Sequence, residues 1–316
     1  MPGRVHILVL NYNGQQLLDE CLPSVVACAR AAQMPCRVTL IDNESSDGSV
    51  EFVREHWPDV TIEREPNRFL VSFNDVVARL DEPIVLLLNN DVKLSPGCVD
   101  RLAAPFATHA DCFATSPLCW TFDGRYEGTL SDLVFRRGLV HTHLRPPAEL
   151  GAARYPSPLR ATASAGAVLA VNRAKFLALG GFDSLYLPGR FEDLDLAFRA
   201  WLAGWKSYFV PDTVAYHKGS ASFGPHVGSR GDELDARNAL LFAWKNLREP
   251  RHVAAHGFFL TIRVLRALAT GHTAFLRGWV SAMTKLPAVL RRRRAVAPPR
   301  VRSERELFQI LGAADE

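Results

Sequence analysis

Residues Ile84-Val-Leu-Leu-Leu-Asn-Asn-Asp91 decide the fold. Five apolar residues follow one another without alternation, as in a strand covered on both faces of a parallel sheet. The run then stops at two amides and a carboxylate. Ligands of open α/β sheets bind just beyond the carboxyl ends of the strands, so Asp91 emerges where chemistry is expected. A lone carboxylate at this point serves equally well as a cap for the helix that Ser95-Pro96 announces. What the other strands deliver must choose between the two.

Upstream, Val5 to Leu10 reads as a strand ending at Asn11-Tyr12-Asn13-Gly14. Leu17, Leu18, Cys21, Leu22 and Val25 then recur at helical spacing. A second strand, Arg37 to Ile41, ends at Asp42-Asn43, and Ser46 or Asp47 is placed to cap the next helix. Val60 to Ile62 is a short third strand, and Asn74 to Leu80 a helix leading into Ile84. Strand and helix in this alternation predict an α/β fold of right-handed units with a mostly parallel, Rossmann-like sheet flanked by helices.

Downstream the rhythm changes. Phe113 to Phe122 reads as a strand, Tyr126 to Tyr155 as an irregular segment, and Ala163 to Val171 as a strand of small residues. Asn172 opens a helix that ends at Gly180-Gly181, and Phe191-Glu192-Asp193 opens another. Trp205 to Val210 and Thr213 to Tyr216 are expected as separate strands, the second delivering His217, before a helix from Glu233 to Leu247. Pro250 marks the boundary between the α/β domain, 1–249, and a helical, basic C-terminal extension, 250–316. Within that extension Ser303-x-x-Glu306 has the spacing of a capping box.

Composition narrows the function classes. With 48% hydrophobic and 22% charged residues the chain is globular rather than disordered. Its six cysteines show no Cys-x-x-Cys spacing, so neither a zinc site nor a disulfide framework is expected, and a reducing compartment fits best. No secretory apolar region follows Met1, and the absence of about 18 consecutive uncharged apolar residues predicts no membrane span. The net charge of +4 is uneven: residues 250–303 hold eleven Arg/Lys and no Asp/Glu, which leaves the rest of the chain at −7.

Polar clusters thus close four strands: Asn11-Tyr12-Asn13, Asp42-Asn43, Asn89-Asn90-Asp91 and His217. No Gly-x-Gly-x-x-Gly and no Gly-x-x-x-x-Gly-Lys occurs, so a nucleotide here would lack a glycine cradle for its phosphates. A hard divalent cation held by Asp91 substitutes for that cradle, because it binds carboxylate and phosphate oxygens together. His217 adds a nitrogen ligand suited to Mn2+, although a strand-end histidine is as readily satisfied by its neighbours. Glu192-Asp193 begins a helix, where capping alone explains two acids. Gly180-Gly181-Phe182-Asp183 just upstream tips the balance towards a ligand, since glycines admit close backbone approach. An ionised carboxylate in such a place can take the proton of an attacking hydroxyl.

In these stretches the chain resembles a family 2 glycosyltransferase with the GT-A nucleotide-sugar fold, of the rhamnosyltransferase-like branch that builds bacterial surface polysaccharides. The stretches, in order, are Val9-Leu-Asn-Tyr-Asn-Gly14, Leu40-Ile-Asp-Asn-Glu-Ser-Ser-Asp-Gly-Ser49, Leu86-Leu-Leu-Asn-Asn-Asp91, Gly180-Gly-Phe-Asp183, Phe191-Glu-Asp-Leu-Asp-Leu196 and Val210-Pro-Asp-Thr-Val-Ala-Tyr-His217. Arg237-Asn238 also fits. The resemblance implies an inverting, metal-dependent transfer of a sugar from a nucleotide-sugar donor to a glycan or lipid-linked glycan acceptor. Asp42 would bind the base, with Asn11, Asn13 and Asn43 around the nucleoside. Asn89 or Asn90 would reach the ribose, and Asn74 would pack on the nucleotide. Asp91 and His217 would hold Mg2+ or Mn2+ on the diphosphate. Asp193, beside Glu192, would be the catalytic base.

One departure stands out. Where the family has a glycine, Asn67-Arg-Phe-Leu-Val-Ser-Phe-Asn74 has Phe69. A bulky residue takes a glycine conformation only with strain, so a different local loop is expected. That residue also favours the alternative that the fold has become a non-catalytic sugar-nucleotide or glycan-binding protein. A glycosidase would need two carboxylates facing across a glycosidic bond, and the nucleoside-type loop argues against it. The arginine-rich, aromatic extension reads either as an interfacial helix on an anionic membrane or as helices packed on the body with a solvated basic face. With no nucleic-acid motif, no nucleic-acid partner is expected. The implied setting is cytoplasmic, peripheral at the inner face of the plasma membrane.

Overall fold

The computed structural model describes residues 3–145, 160–162, 166–219, 230–295 and 298–312. The first half alternates as expected: β1 (Val5–Asn11), α1 (Gln15–Ala31), β2 (Cys36–Asp42), α2 (Ser49–His56), β3 (Thr61–Arg64), α3 (Ser72–Arg79) and β4 (Ile84–Asn89). β5 (Val92–Leu94), α4 (Cys98–Thr108), β6 (Cys112–Thr121) and β7 (Tyr126–Gly128) follow, then a hairpin of β8 (Ser131–Arg136) and β9 (Leu139–Leu144). β10 (Arg160–Ala161), β11 (Val168–Asn172), α5 (Arg173–Ala178), α6 (Glu192–Leu202) and β12 (Lys206–His217) complete the sheet. The remaining helices are α7 (Gly231–Asn246), α8 (Pro250–Thr270), α9 (Thr273–Thr284), α10 (Leu286–Arg294) and α11 (Glu304–Leu311).

The main sheet runs β10-β12-β6-β11-β4-β1-β2-β3, with β5 and β7 attached to β12 and β6. β4, β1, β2 and β3 are parallel, as are β6 and β12, while β11 lies antiparallel between β4 and β6. The sheet is therefore mixed: the parallel rule holds for the nucleotide-type half and stops at β11. β4 is central and covered twice. Leu86 and Leu88 pack with α1, α2 and α4, whereas Val85 and Leu87 pack with α3, α5 and α6. Two apolar faces leave no polar position to alternate, which is why its sequence is unbroken.

Two expectations change. Tyr126 to Leu144 is not irregular but forms β7, β8 and β9, with Arg137 and Gly138 both at positive φ in the tight β8-β9 turn; residues 146–155 of that segment, like residues 163–165 of the predicted small-residue strand, lie outside the described residues. The two strands expected before His217 are one, irregular between Val210 and Val214 where Pro211 interrupts the ladder. α8 is long and apolar enough to cross a membrane by length and composition alone.

The extension does not stand apart. Ala282, Val289, Leu307 and Leu311 share a core with Leu133, Leu194, Trp201 and Phe242 of the body. The predicted capping box is present, Ser303 accepting from the Glu306 backbone and Glu306 from that of Ser303. α8 packs through His252, His256, Leu260 and Ala267, and leaves Val253, Phe258, Ile262, Leu265 and Leu268 exposed, Phe258 to 63%.

Candidate active site

A cavity of about 500 Å3 opens at the carboxyl ends of β1, β2 and β4. Asn11, Asn43, Asn89, Asn90, Asp91, Glu192, Asp193 and His217 all line it. Residues up to two hundred positions apart in the chain thus share one cleft, the condition any transfer between Asp91 and Asp193 requires.

The floor is tied by amides. Asn90 Nδ2 donates to Asn11 Oδ1 at 2.7 Å, and Asn11 Nδ2 donates to Ser45 Oγ at 3.1 Å. A Cβ on Gly14 would lie 2.1 Å from Asn90 Nδ2, so this pairing leaves room for glycine only. Asn13 is not in the cavity wall; at positive φ, its Oδ1 accepts from the Ser46 backbone at 2.7 Å and pins the loops after β1 and β2 together. Asp42 is buried beneath the wall, its Oδ1 facing the Ser45 N–H at 3.3 Å.

Asn74 also lies away from this cavity. Its Oδ1 accepts from Phe182 N and its Nδ2 donates to Phe182 O, both at 2.9 Å. A Cβ on Gly181 would come within 2.2 Å of that amide, and Gly181 sits at φ 65°. Asn74 is thereby a clamp on the Gly180–Asp183 loop, with both amide atoms spent. Phe69 does line the cavity, and it takes the left-handed conformation, at φ 53°, that glycine adopts without cost. Its carbonyl faces Asn43 Nδ2 at 3.4 Å.

Asp91 is 1% exposed, and among the described residues no backbone N–H and no side chain other than His217 reaches its carboxylate. Its nearest cationic group is His217, with Nε2 at 3.1 Å from Oδ1. The other ring nitrogen, Nδ1, lies 2.8 Å from Glu127 on β7. Burial alone would lower the His217 pKa, but hydrogen bonds to Asp91 and Glu127 outweigh it and raise it to about 9. A buried carboxylate whose one partner is an imidazole suits a hard divalent cation, which would take the place of the imidazole proton. A second grouping, Glu249, His252 and Glu304, has ligand atoms within 4.8 Å of one another. Its oxygens already accept from the backbones of Arg248 and Arg305 and from His252 and Arg300, so they fasten α8 to α11.

Glu192 and Asp193 open α6 after Arg190 and Phe191, both at positive φ (72° and 75°). Asn238 of α7 enforces that turn by donating to the carbonyls of Gly189 and Arg190, each at 2.8 Å, while Arg237 donates to Leu187 O at 2.6 Å. Glu192 Oε2 is buried without a hydrogen-bond partner. Burial raises the Asp193 pKa. Burial and the adjacent Asp193 charge push Glu192 to about 8. One turn along, Asp195 is fully buried against Lys245 (2.8 Å), Arg199 (2.7 Å), Tyr186 and Asn246. Arg190, Glu127 and this Lys245–Asp195 pair were not anticipated; no local spacing marks them.

Residues 2–246 match the family described as "Glycosyltransferase like family 2". The chain belongs to glycosyltransferase family 2. This glycosyltransferase is 28% identical over 246 residues (71% of its length, 79% of the relative's) to the N-acetylglucosaminyl-diphospho-decaprenol L-rhamnosyltransferase of Mycobacterium tuberculosis strain H37Rv. Its fold is that of GT-A enzymes. Staphylococcus aureus TarS 1-349 in complex with UDP superposes with a TM-score of 0.53 at 14% identity, over 81% of this chain and 70% of that one. GalNAc-T7 with UDP, GalNAc and Mn2+ superposes with a TM-score of 0.54 at 19% identity, over 68% of the glycosyltransferase but only 43% of GalNAc-T7.

Proposed function

We propose that this glycosyltransferase moves a sugar from a nucleotide donor to a hydroxyl of a lipid-linked glycan, in one displacement with inversion, during cell-surface polysaccharide synthesis. The observation that carries the reading is that Asp91 and Asp193 line the same cavity. The nucleoside would lie along Asn11, Asn43 and Asn89, above the buried Asp42. Asp91 and His217 would hold Mg2+ or Mn2+, which when bound neutralises charge on the departing diphosphate. Asp193, in its ionised form, takes the proton of the acceptor hydroxyl as that oxygen attacks the sugar carbon and the nucleoside diphosphate leaves. The relative from M. tuberculosis, whose name specifies a rhamnosyl transfer to a lipid-linked N-acetylglucosamine, supports the acceptor class.

The exposed apolar side of α8 supports a place at the membrane. Phe258, Leu265 and Leu268 are more than 60% exposed, Arg263 and Arg266 lie among them, and no acid occurs between residues 250 and 303. Such a surface suits the anionic inner leaflet, where a lipid-linked acceptor would be met.

Asp193→Asn tests the mechanism. Turnover should fall by about 10²- to 10⁴-fold, the usual worth of a general base, with donor binding retained. Near-wild-type turnover removes Asp193 from the reaction. Absence of any nucleoside diphosphate release by the wild type, with Mn2+ and a panel of UDP-, dTDP- and GDP-sugars, would instead favour a binding protein.

A further inference from the structure

A second cavity, of about 450 Å3, shares only Phe182 with the active-site cavity. Its wall carries six cationic side chains, Arg68, Arg199, Lys245, Arg248, Arg292 and Arg300. Asp183 is the single carboxylate among its lining residues.

Half of those cations are committed elsewhere. Arg199 is spent on Asp195 and on the carbonyls of Leu179 and Gly181. Lys245 is divided between Asp183 (2.6 Å) and Asp195, and Arg68 pairs with Asp75. The other three are under-compensated. Arg248 follows α7, reaches the carbonyl of Arg293, and has no ion-pair partner among the described residues. Arg292, on α10, must share Asp183 with Lys245. Arg300, just before α11, has Glu304 at 3.2 Å, a carboxylate that also receives the Arg248 and Glu249 backbone N–H groups and His252. Burial, and then the neighbouring Arg248 charge, pushes Arg300 down to about 10. Three guanidiniums brought from three segments into one cavity repel one another unless an anion joins them, and their planar forks match the oxygens of a phosphoryl group.

We infer that this cavity is a second anion site, taking a phosphate or diphosphate group through Arg248, Arg292 and Arg300. It is separate from the donor chemistry and does not depend on it. Phe182 and Asp183 are consecutive, so an anion that draws Arg292 from Asp183 acts on the loop that also walls the active site. A free phosphate and the diphosphate of a lipid-linked molecule offer the same chemistry.

Isothermal titration calorimetry on the full chain decides the matter, at constant ionic strength and with a chelator present to silence metal-dependent binding. Pyrophosphate should bind saturably to the wild type and to Asp91→Ala alike, and at least tenfold more weakly to Arg248→Gln and Arg292→Gln. Arg248 is exposed and without an acidic partner, so Arg248→Gln should keep the wild-type Tm and report on binding alone. Geranyl diphosphate binding tenfold more tightly than pyrophosphate identifies a lipid-linked source, and equal affinities a free anion. The inference is overturned by non-saturable binding to the wild type, by equal affinity in the arginine variants, or by loss of binding in Asp91→Ala, which would place the anion in the active site.

Discussion

Asp91 Oδ1 lies 3.1 Å from His217 Nε2, although Asp91 follows β4 and His217 ends β12, strands that are not neighbours in the sheet. β5, immediately after Asp91, joins them: it runs antiparallel to β12 and sets His217 opposite Val92. This short strand fixes the spacing of two side chains 126 positions apart, and the Lys218 N–H closes its ladder on the Asp91 carbonyl at 3.0 Å. The pair is held rigidly enough to act as a unit, with Glu127 orienting the far side of the imidazole. Asp91→Ala should therefore abolish Mn2+-dependent nucleotide binding, and Glu127→Gln should weaken it by about 10- to 100-fold, the usual effect of losing a group that orients a ligand. Nucleotide titrations with and without EDTA measure both. Wild-type binding by Asp91→Ala would move the metal elsewhere.

Glu192 and Asp193 give a pH dependence of opposite sign to that of an ordinary surface acid. Their folded-state pKa values are raised, so the native protein holds more protons than the unfolded chain above about pH 4. Stability contributed at this site is therefore greatest at low pH and falls as pH rises through about 8, where Glu192 ionises. Glu192→Gln removes that ionisation. Urea midpoints for this variant should decline less between pH 6 and pH 9 than those of the wild type. Parallel curves would show that Glu192 does not ionise in that interval.

Asp195 behaves in the contrary way. Burial would push its pKa up, but Lys245 and Arg199 outweigh that and hold it well below the usual carboxylate range. Its stabilisation is present above the unfolded carboxylate pKa and disappears as pH falls below it. Asp195→Asn leaves Arg199 without a counter-charge and Lys245 with Asp183 alone, which Arg292 also uses. Breaking a buried pair in this way costs about 3–5 kcal/mol. Chemical denaturation at pH 7 should show that loss; a change under 1 kcal/mol would mean that Asp183 alone can neutralise Lys245.

Much of this architecture is written locally. The unbroken run of β4, the amides closing the strands, Asn172 at the start of α5 and Ser303-x-x-Glu306 before α11 are signals spanning only a few residues. The GT-A fold was legible for that reason. What escaped is set by partners distant in sequence. Nothing around Asn74 shows that its amide is taken by Phe182, 108 positions away. Nothing near Asp195 foretells Lys245, 50 positions on. The β8-β9 hairpin was missed because Arg137-Gly138 makes its turn without the Asn-Gly or Asp-Gly pair that usually advertises one. The irregularity in β12 divides its pattern into two shorter strands although its ladder continues on β6.

Phe69 allows backbone strain to be separated from side-chain contact. At φ 53° any residue with a Cβ is disfavoured, by roughly 1–2 kcal/mol in the left-handed region, whereas glycine is not. Phe69→Ala deletes the ring but keeps the strain; Phe69→Gly deletes both. If the turn is the glycine-type turn of the family with a costlier residue in it, Phe69→Gly should be more stable than Phe69→Ala by about 1 kcal/mol or more. Elsewhere in a chain the same comparison usually runs the other way, because glycine gains more freedom on unfolding. The ring also lines the active-site cavity, so both variants should change donor affinity together while differing in stability. Equal stabilities, or a more stable alanine variant, would show that residues 67–71 relax to another conformation once the ring is gone.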